Sequence, residues 1–190
     1  VAILDGHLTL SLPMDISIMT TMDALSHSFE SIWNKNSNPT STDYAISAIC
    51  SILKNMPKLK IDPKNLDVRN ELLKASTAAG LAFSNTTTAA AHSISYPLTI
   101  RYGIPHGVAS SISLLPLLDI NGPFIKEPID RICKNNDLTS NELKKSIKEI
   151  PEGIVPYTLD NWGISKENLD TLASESFTKG RMDNNIVDLT

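Results

Sequence analysis

The sequence predicts an all-α domain, and three observations carry that reading. Apolar residues recur at spacings of three and four through most of the chain, residues that start and stop helices fall between those stretches, and strand-like alternation is almost absent beyond the first dozen residues. A multi-helix domain with helix pairs packed around one core is the architecture such a pattern supports.

The opening VAIL, residues 1–4, reads as the end of a buried strand, and the chain has no initiator Met. Residues 1–13 are therefore expected to be the end of an interdomain segment of a longer chain, and residues 14–190 a helical domain. In ISIMTTMDALSHSFESIW the residues Ile18, Met22, Leu25, Phe29 and Ile32 repeat at helical spacing. The polar loop NKNSNPTST follows, where Thr40, Ser41 and Thr42 can cap a second helix, DYAISAICSILKNM, which Pro57 is expected to close. A third helix is predicted over NLDVRNELLKASTAAGLAFSN, its small residues between positions 75 and 82 pointing to close helix packing. A fourth covers residues 87–96. Pro97, Gly103 and Pro105 then interrupt the backbone, because proline removes an amide donor and glycine relaxes the helix. One helix is expected from His106 through GVASSISLLPLLDI, and shorter amphipathic helices in PIDRICKNN, SNELKKSIKEI and SKENLDTLASESFTK.

Composition bounds the function. The 190 residues suffice for one domain, and 41% hydrophobic with 20% charged residues is ordinary globular composition. A net charge of -4 with scattered basic residues argues against a nucleic-acid-binding face. Cys50 and Cys133 form no C-x-x-C pair and read as reduced thiols of a cytoplasmic protein. No apolar run approaches the roughly 20 residues that would span a bilayer.

The chemistry-bearing residues are concentrated. Asp23 and His27 stand at i and i+4 in the first helix, so one face carries a carboxylate and an imidazole one turn apart, and Glu30 falls on the same side, where it can orient an imidazole. His92 and His106 lie 14 residues apart, which in a continuous helix would separate them by about 21 Å. If the chain turns back between positions 97 and 105, the two can converge. Three histidines and one aspartate form an N3O set suited to Fe2+ or Zn2+ and poor for Mg2+ or Ca2+. The alternative is that His92 and His106 are hydrogen-bonded core or capping histidines.

MDALSHSFES, GLAFSNTTTAAAHSISYPL and GIPHGVASSISLLP resemble successive motifs of the iron-containing (group III) alcohol dehydrogenase family, which shares its architecture with dehydroquinate synthase. The resemblance runs from LDGHLTLSLP to RMDNN and implies the family's all-α, metal-binding C-terminal domain. It implies that Asp23, His27, His92 and His106 hold the metal, Fe2+ or Zn2+. In the intact protein it implies NAD(P)-linked oxidation of an alcohol or reduction of a small aldehyde. The N-terminal Rossmann-like domain of that family has no counterpart here: none of the eight glycines forms a phosphate-cradling cluster. Where the family commonly has a histidine four residues after the first of the late pair, this chain has Tyr96, a candidate hydrogen-bond or proton donor whose alternative is a packed phenol. SISYPLT with GIPHG resembles one branch in particular, the phosphonoacetaldehyde reductases, for which Arg101 is the candidate phosphonate partner; its alternative is an exposed loop arginine. A homodimer is compatible with the family. The competing reading is a non-catalytic helical interaction module.

Overall fold

A computed structural model of the chain describes residues 3–190. The described residues form nine α-helices: α1 Met14–Ile32, α2 Pro39–Ile61, α3 Leu66–Thr86, α4 Ala90–Tyr102, α5 His106–Ala109, α6 Leu114–Asn121, α7 Lys126–Asn135, α8 Ser140–Glu149 and α9 Leu169–Glu175. Among them there is no strand, only an isolated antiparallel bridge between Asn34 and Asn185. The all-α expectation holds. The expected strand end falls partly outside the described residues; of the rest, Ile3 and Leu4 are exposed and without regular structure. No single helix among the described residues is long and apolar enough to cross a membrane.

The three long helices α1, α2 and α3 pack against one another. Every apolar residue of the predicted α1 stripe is in their core, Ile18, Leu25 and Phe29 without exposed surface, and Phe29 stacks on Trp33 at 5.5 Å. Ala75, Ala79 and Ala82 are also buried where α3 packs on α1 and α2.

The capping of α2 differs from expectation. Asn38 is the cap: its side chain accepts from Ser41 N at 3.0 Å, and the Ser41 hydroxyl accepts from Asn38 N at 3.1 Å. This reciprocal pair satisfies two donors that helix geometry leaves free. Asn38→Ala should lower stability by about 1 kcal/mol, read as a lower denaturation midpoint at unchanged slope.

Pro57 does not close α2, which runs through it to Ile61. The proline faces solvent, so water can reach the carbonyl that its missing amide leaves free, and burial of Met56 and Leu59 on the opposite side holds the helix together. Pro97 likewise lies inside α4. The reversal comes later, at Gly103, whose φ of +66° is the left-handed conformation that ends helices, with Pro105 as the cap of α5.

The single helix expected from His106 onward is two helices, α5 and α6. Serines between them compete for the backbone: the Ser111 hydroxyl donates to Gly107 O at 2.5 Å, while the Ser110 and Ser111 carbonyls accept from the Ser26 and Tyr157 hydroxyls. At the other end, α4 is aimed by Thr87, whose φ of +64° is unusual for a β-branched residue. Asn34 and Asn184 hold it, donating to its carbonyl at 3.3 Å and its hydroxyl at 3.0 Å.

Candidate metal centre

Asp23 and His27 come from the middle of α1, His92 from the first turn of α4 and His106 from the first residue of α5. The reversal at Gly103 brings the last two back to α1. Three imidazole Nε2 atoms converge on one carboxylate: His27 lies 3.5 Å from Asp23 Oδ2, and His92 and His106 lie 3.5 and 3.4 Å from Oδ1. Ligand atoms of Asp23, His27 and His92 lie within 4.8 Å of one another. His106 is the outer member, its side chain half exposed where that of His92 is buried.

These spacings fit a cation. Two ligand atoms each about 2.1 Å from one ion, at a tetrahedral angle, are about 3.4 Å apart. The same separations are long for hydrogen bonds. His92 Nε2 is buried and has no hydrogen-bond partner, a cost that a metal would remove.

The surroundings prepare each ligand. Glu30, with no exposed surface, accepts from His92 N at 3.0 Å and faces His92 Nδ1 at 2.5 Å. A carboxylate there accepts from Nδ1–H and so leaves Nε2 unprotonated and free to ligate. The Ser110 hydroxyl donates to Asp23 Oδ1 at 2.8 Å. His27 is sandwiched between Phe83 and His92, both at 4.2 Å. Ser110 and Phe83 were not singled out by sequence. Ser110 follows His106 by four residues, a usable signal; Phe83 offers none.

Electrostatics also favour a divalent ion. Burial alone would raise the Asp23 carboxyl, but the His27 and His92 rings facing it, with the Ser110 hydroxyl, hold it well below the usual carboxylate range. Burial alone would lower His92, yet Asp23 and Glu30 push it up to about 9. Two carboxylates thus share a site where one cation of charge +2 balances both; without it a proton on His92 does part of that work.

The other two candidates lie further along α4. Tyr96, one turn beyond His92, is partly buried, and among the described residues its hydroxyl has no hydrogen-bond partner. Its ring instead carries the Arg181 guanidinium, 4.7 Å from the centroid. Arg101 is in the last turn, exposed and ion-paired with Glu175. The structure does not bring it to Asp23: nine residues of helix from His92 amount to about 13 Å.

A helical domain thus gathers a carboxylate and three imidazoles between α1, α4 and α5, a donor set suited to a divalent transition metal. Residues 17–190 match the model of the Fe-containing alcohol dehydrogenase family, C-terminal, and the chain belongs to that family. It is 28% identical to long-chain-alcohol dehydrogenase 1 of Geobacillus thermodenitrificans, over 96% of this chain and 49% of that protein. It is 26% identical to sulfoacetaldehyde reductase of Bilophila wadsworthia, over 96% and 50%. Among solved structures, sulfoacetaldehyde reductase from Bifidobacterium kashiwanohense in complex with NAD+ is 30% identical with a TM-score of 0.86, covering 98% of this chain and 50% of that one. The chain thus spans about half the length of these relatives.

Proposed function

We propose that the protein is a metal-dependent, NAD(P)-linked alcohol dehydrogenase or aldehyde reductase in which Asp23, His27, His92 and His106 hold Fe2+ or Zn2+. The observation that carries this is the convergence of three Nε2 atoms on the two oxygens of Asp23. A cation held there would supply Lewis acidity to a carbonyl oxygen, and a nicotinamide bound by a further part of the protein would supply hydride.

This chain's residues do the rest. Asp23 and three neutral imidazoles leave the bound ion a net positive charge, and Glu30 and Ser110 fix the orientation of His92 and Asp23. His106 is the exposed ligand, so a substrate reaches the centre from its side. Tyr96, on the His92 face of α4, offers a phenol that can donate to the substrate oxygen. The resemblance of SISYPLT and GIPHG to phosphonoacetaldehyde reductases, together with the sulfoacetaldehyde reductases among the relatives, supports a short aldehyde with an anionic head, phosphonoacetaldehyde first. A butanol- or diol-type dehydrogenase is the runner-up.

Elemental analysis of protein purified anaerobically without chelator tests the metal reading. Stoichiometric iron or zinc is expected in the wild type and its loss in His92→Ala and His106→Ala. A wild type that carries neither metal and takes up neither added Fe2+ nor added Zn2+ would sink it.

A further inference from the structure

Arg181 lies in the segment after α9, far in sequence from the ligands, yet its guanidinium sits over the ring of Tyr96. Tyr96 is four residues after His92, so the two share one face of α4 and are about one turn, 5.4 Å, apart along its axis. An arginine is thereby held over the residue that stands one helical turn from His92. It forms no side-chain hydrogen bond or ion pair among the described residues, whereas Arg101 is committed to Glu175.

The backbone that carries Arg181 is tied to α4 beside the ligands. The Ser93 hydroxyl, adjacent to His92, donates to Ser176 O and accepts from Thr178 N. Asn184 donates its amide to Gly180 O at 2.8 Å and to Thr88 O at 2.9 Å, spanning Arg181 and linking it to the start of α4. Arg181 N donates to Thr178 O, and Met182 is buried beneath. The cation is therefore positioned before any ligand arrives, which lowers the ordering cost of binding.

A partly buried guanidinium without a carboxylate, stacked on an aromatic ring, presents its N–H fork to whatever fills the space beside Tyr96. Tetrahedral oxyanions match that fork in charge and geometry. We infer that Arg181 binds the anionic head, a sulfonate or phosphonate, of a short aldehyde whose carbonyl lies at the four-residue centre. The inference deepens the dehydrogenase reading and rests on it. A head one methylene from the carbonyl suits the one-turn offset between His92 and Tyr96; a neutral alcohol leaves the guanidinium without a partner.

The test compares the metal-loaded whole protein with Arg181→Gln and Arg181→Lys, using phosphonoacetaldehyde, sulfoacetaldehyde and neutral propanal. The ratio of kcat/KM for an anionic aldehyde to that for propanal should fall about 10- to 100-fold in Arg181→Gln, the range of one hydrogen bond to a charged group. The loss should lie mainly in KM and be partly restored in Arg181→Lys. Whichever anionic aldehyde has the larger ratio identifies the head. A ratio unchanged in Arg181→Gln, or a wild type without preference for either anionic aldehyde, overturns the inference. Calorimetric binding of the product alcohols, 2-hydroxyethylphosphonate and isethionate, separates this contact from the chemistry. Weakening in Arg181→Gln supports the inference even if no turnover is seen, an outcome that would sink only the dehydrogenase reading; unchanged binding counts against Arg181 alone.

Discussion

Glu30→Ala should cost the protein about 10- to 100-fold in metal affinity and about 3 kcal/mol in stability. The carboxylate is fully buried in α1, and among the described residues it accepts only from His92, from the backbone N–H and from Nδ1. Removing it strands two buried donors and a ring that burial alone would deprotonate. Without the Nδ1 contact either tautomer of His92 becomes available, and the one with Nε2 protonated cannot ligate. Glu30→Gln separates the two effects. Its amide oxygen can still accept from one donor, so much of the stability should return, but it has no negative charge to balance a cation, so metal affinity should stay low. Equilibrium titration with Fe2+ or Zn2+ and urea unfolding of the metal-free proteins read the two quantities independently. Equal recovery of both in Glu30→Gln would mean that Glu30 is only a structural hydrogen-bond acceptor.

The parts of this site that were legible in the sequence are those encoded within one helix or one short segment. Asp23, His27 and Glu30 share a face because helical spacing puts them there, and the apolar stripe that buries α1 is the same pattern read on the other side. His92 and His106 needed a reversal between them. The sequence did show one, between positions 97 and 105, and the backbone makes it at Gly103, while Pro97 itself stays inside α4. Pro57 and Pro97 were misleading for one reason: a proline costs a helix one bond, and tertiary burial of neighbours such as Met56, Leu59 and Leu98 outweighs that loss. Ser110, Phe83 and Arg181 went unseen because each reaches its partner from another element. The Ser110–Asp23 contact spans 87 positions, and no local period records a separation of that kind.

Gly107→Ala should be at least as damaging as loss of a ligand, although the glycine touches no metal-binding atom. A Cβ at this position would lie 1.9 Å from the carbonyl oxygen of Met19 and 2.6 Å from its carbon, both backbone atoms of α1. No side chain can rotate away to relieve that overlap, so the start of α5 must lift from α1. His106 is the preceding residue, and its Nε2 stands 3.4 Å from Asp23 Oδ1 only because the two backbones meet this closely. A displacement of about 1 Å or more exceeds what a ligand shell tolerates, since metal–ligand distances hold to within about 0.2 Å. The Ser110 hydroxyl, on the same short segment, would be drawn off Asp23 at the same time. Metal binding should therefore be lost in Gly107→Ala, and the metal-free protein should be destabilised by about 1–3 kcal/mol, the usual cost of overpacking. Gly80→Ala is the control, because a Cβ there meets nothing within 4 Å, and it should leave both properties intact. Metal content and denaturation midpoints of the two variants check this. If Gly107→Ala retained wild-type affinity, the close approach of α5 to α1 would not be what positions His106.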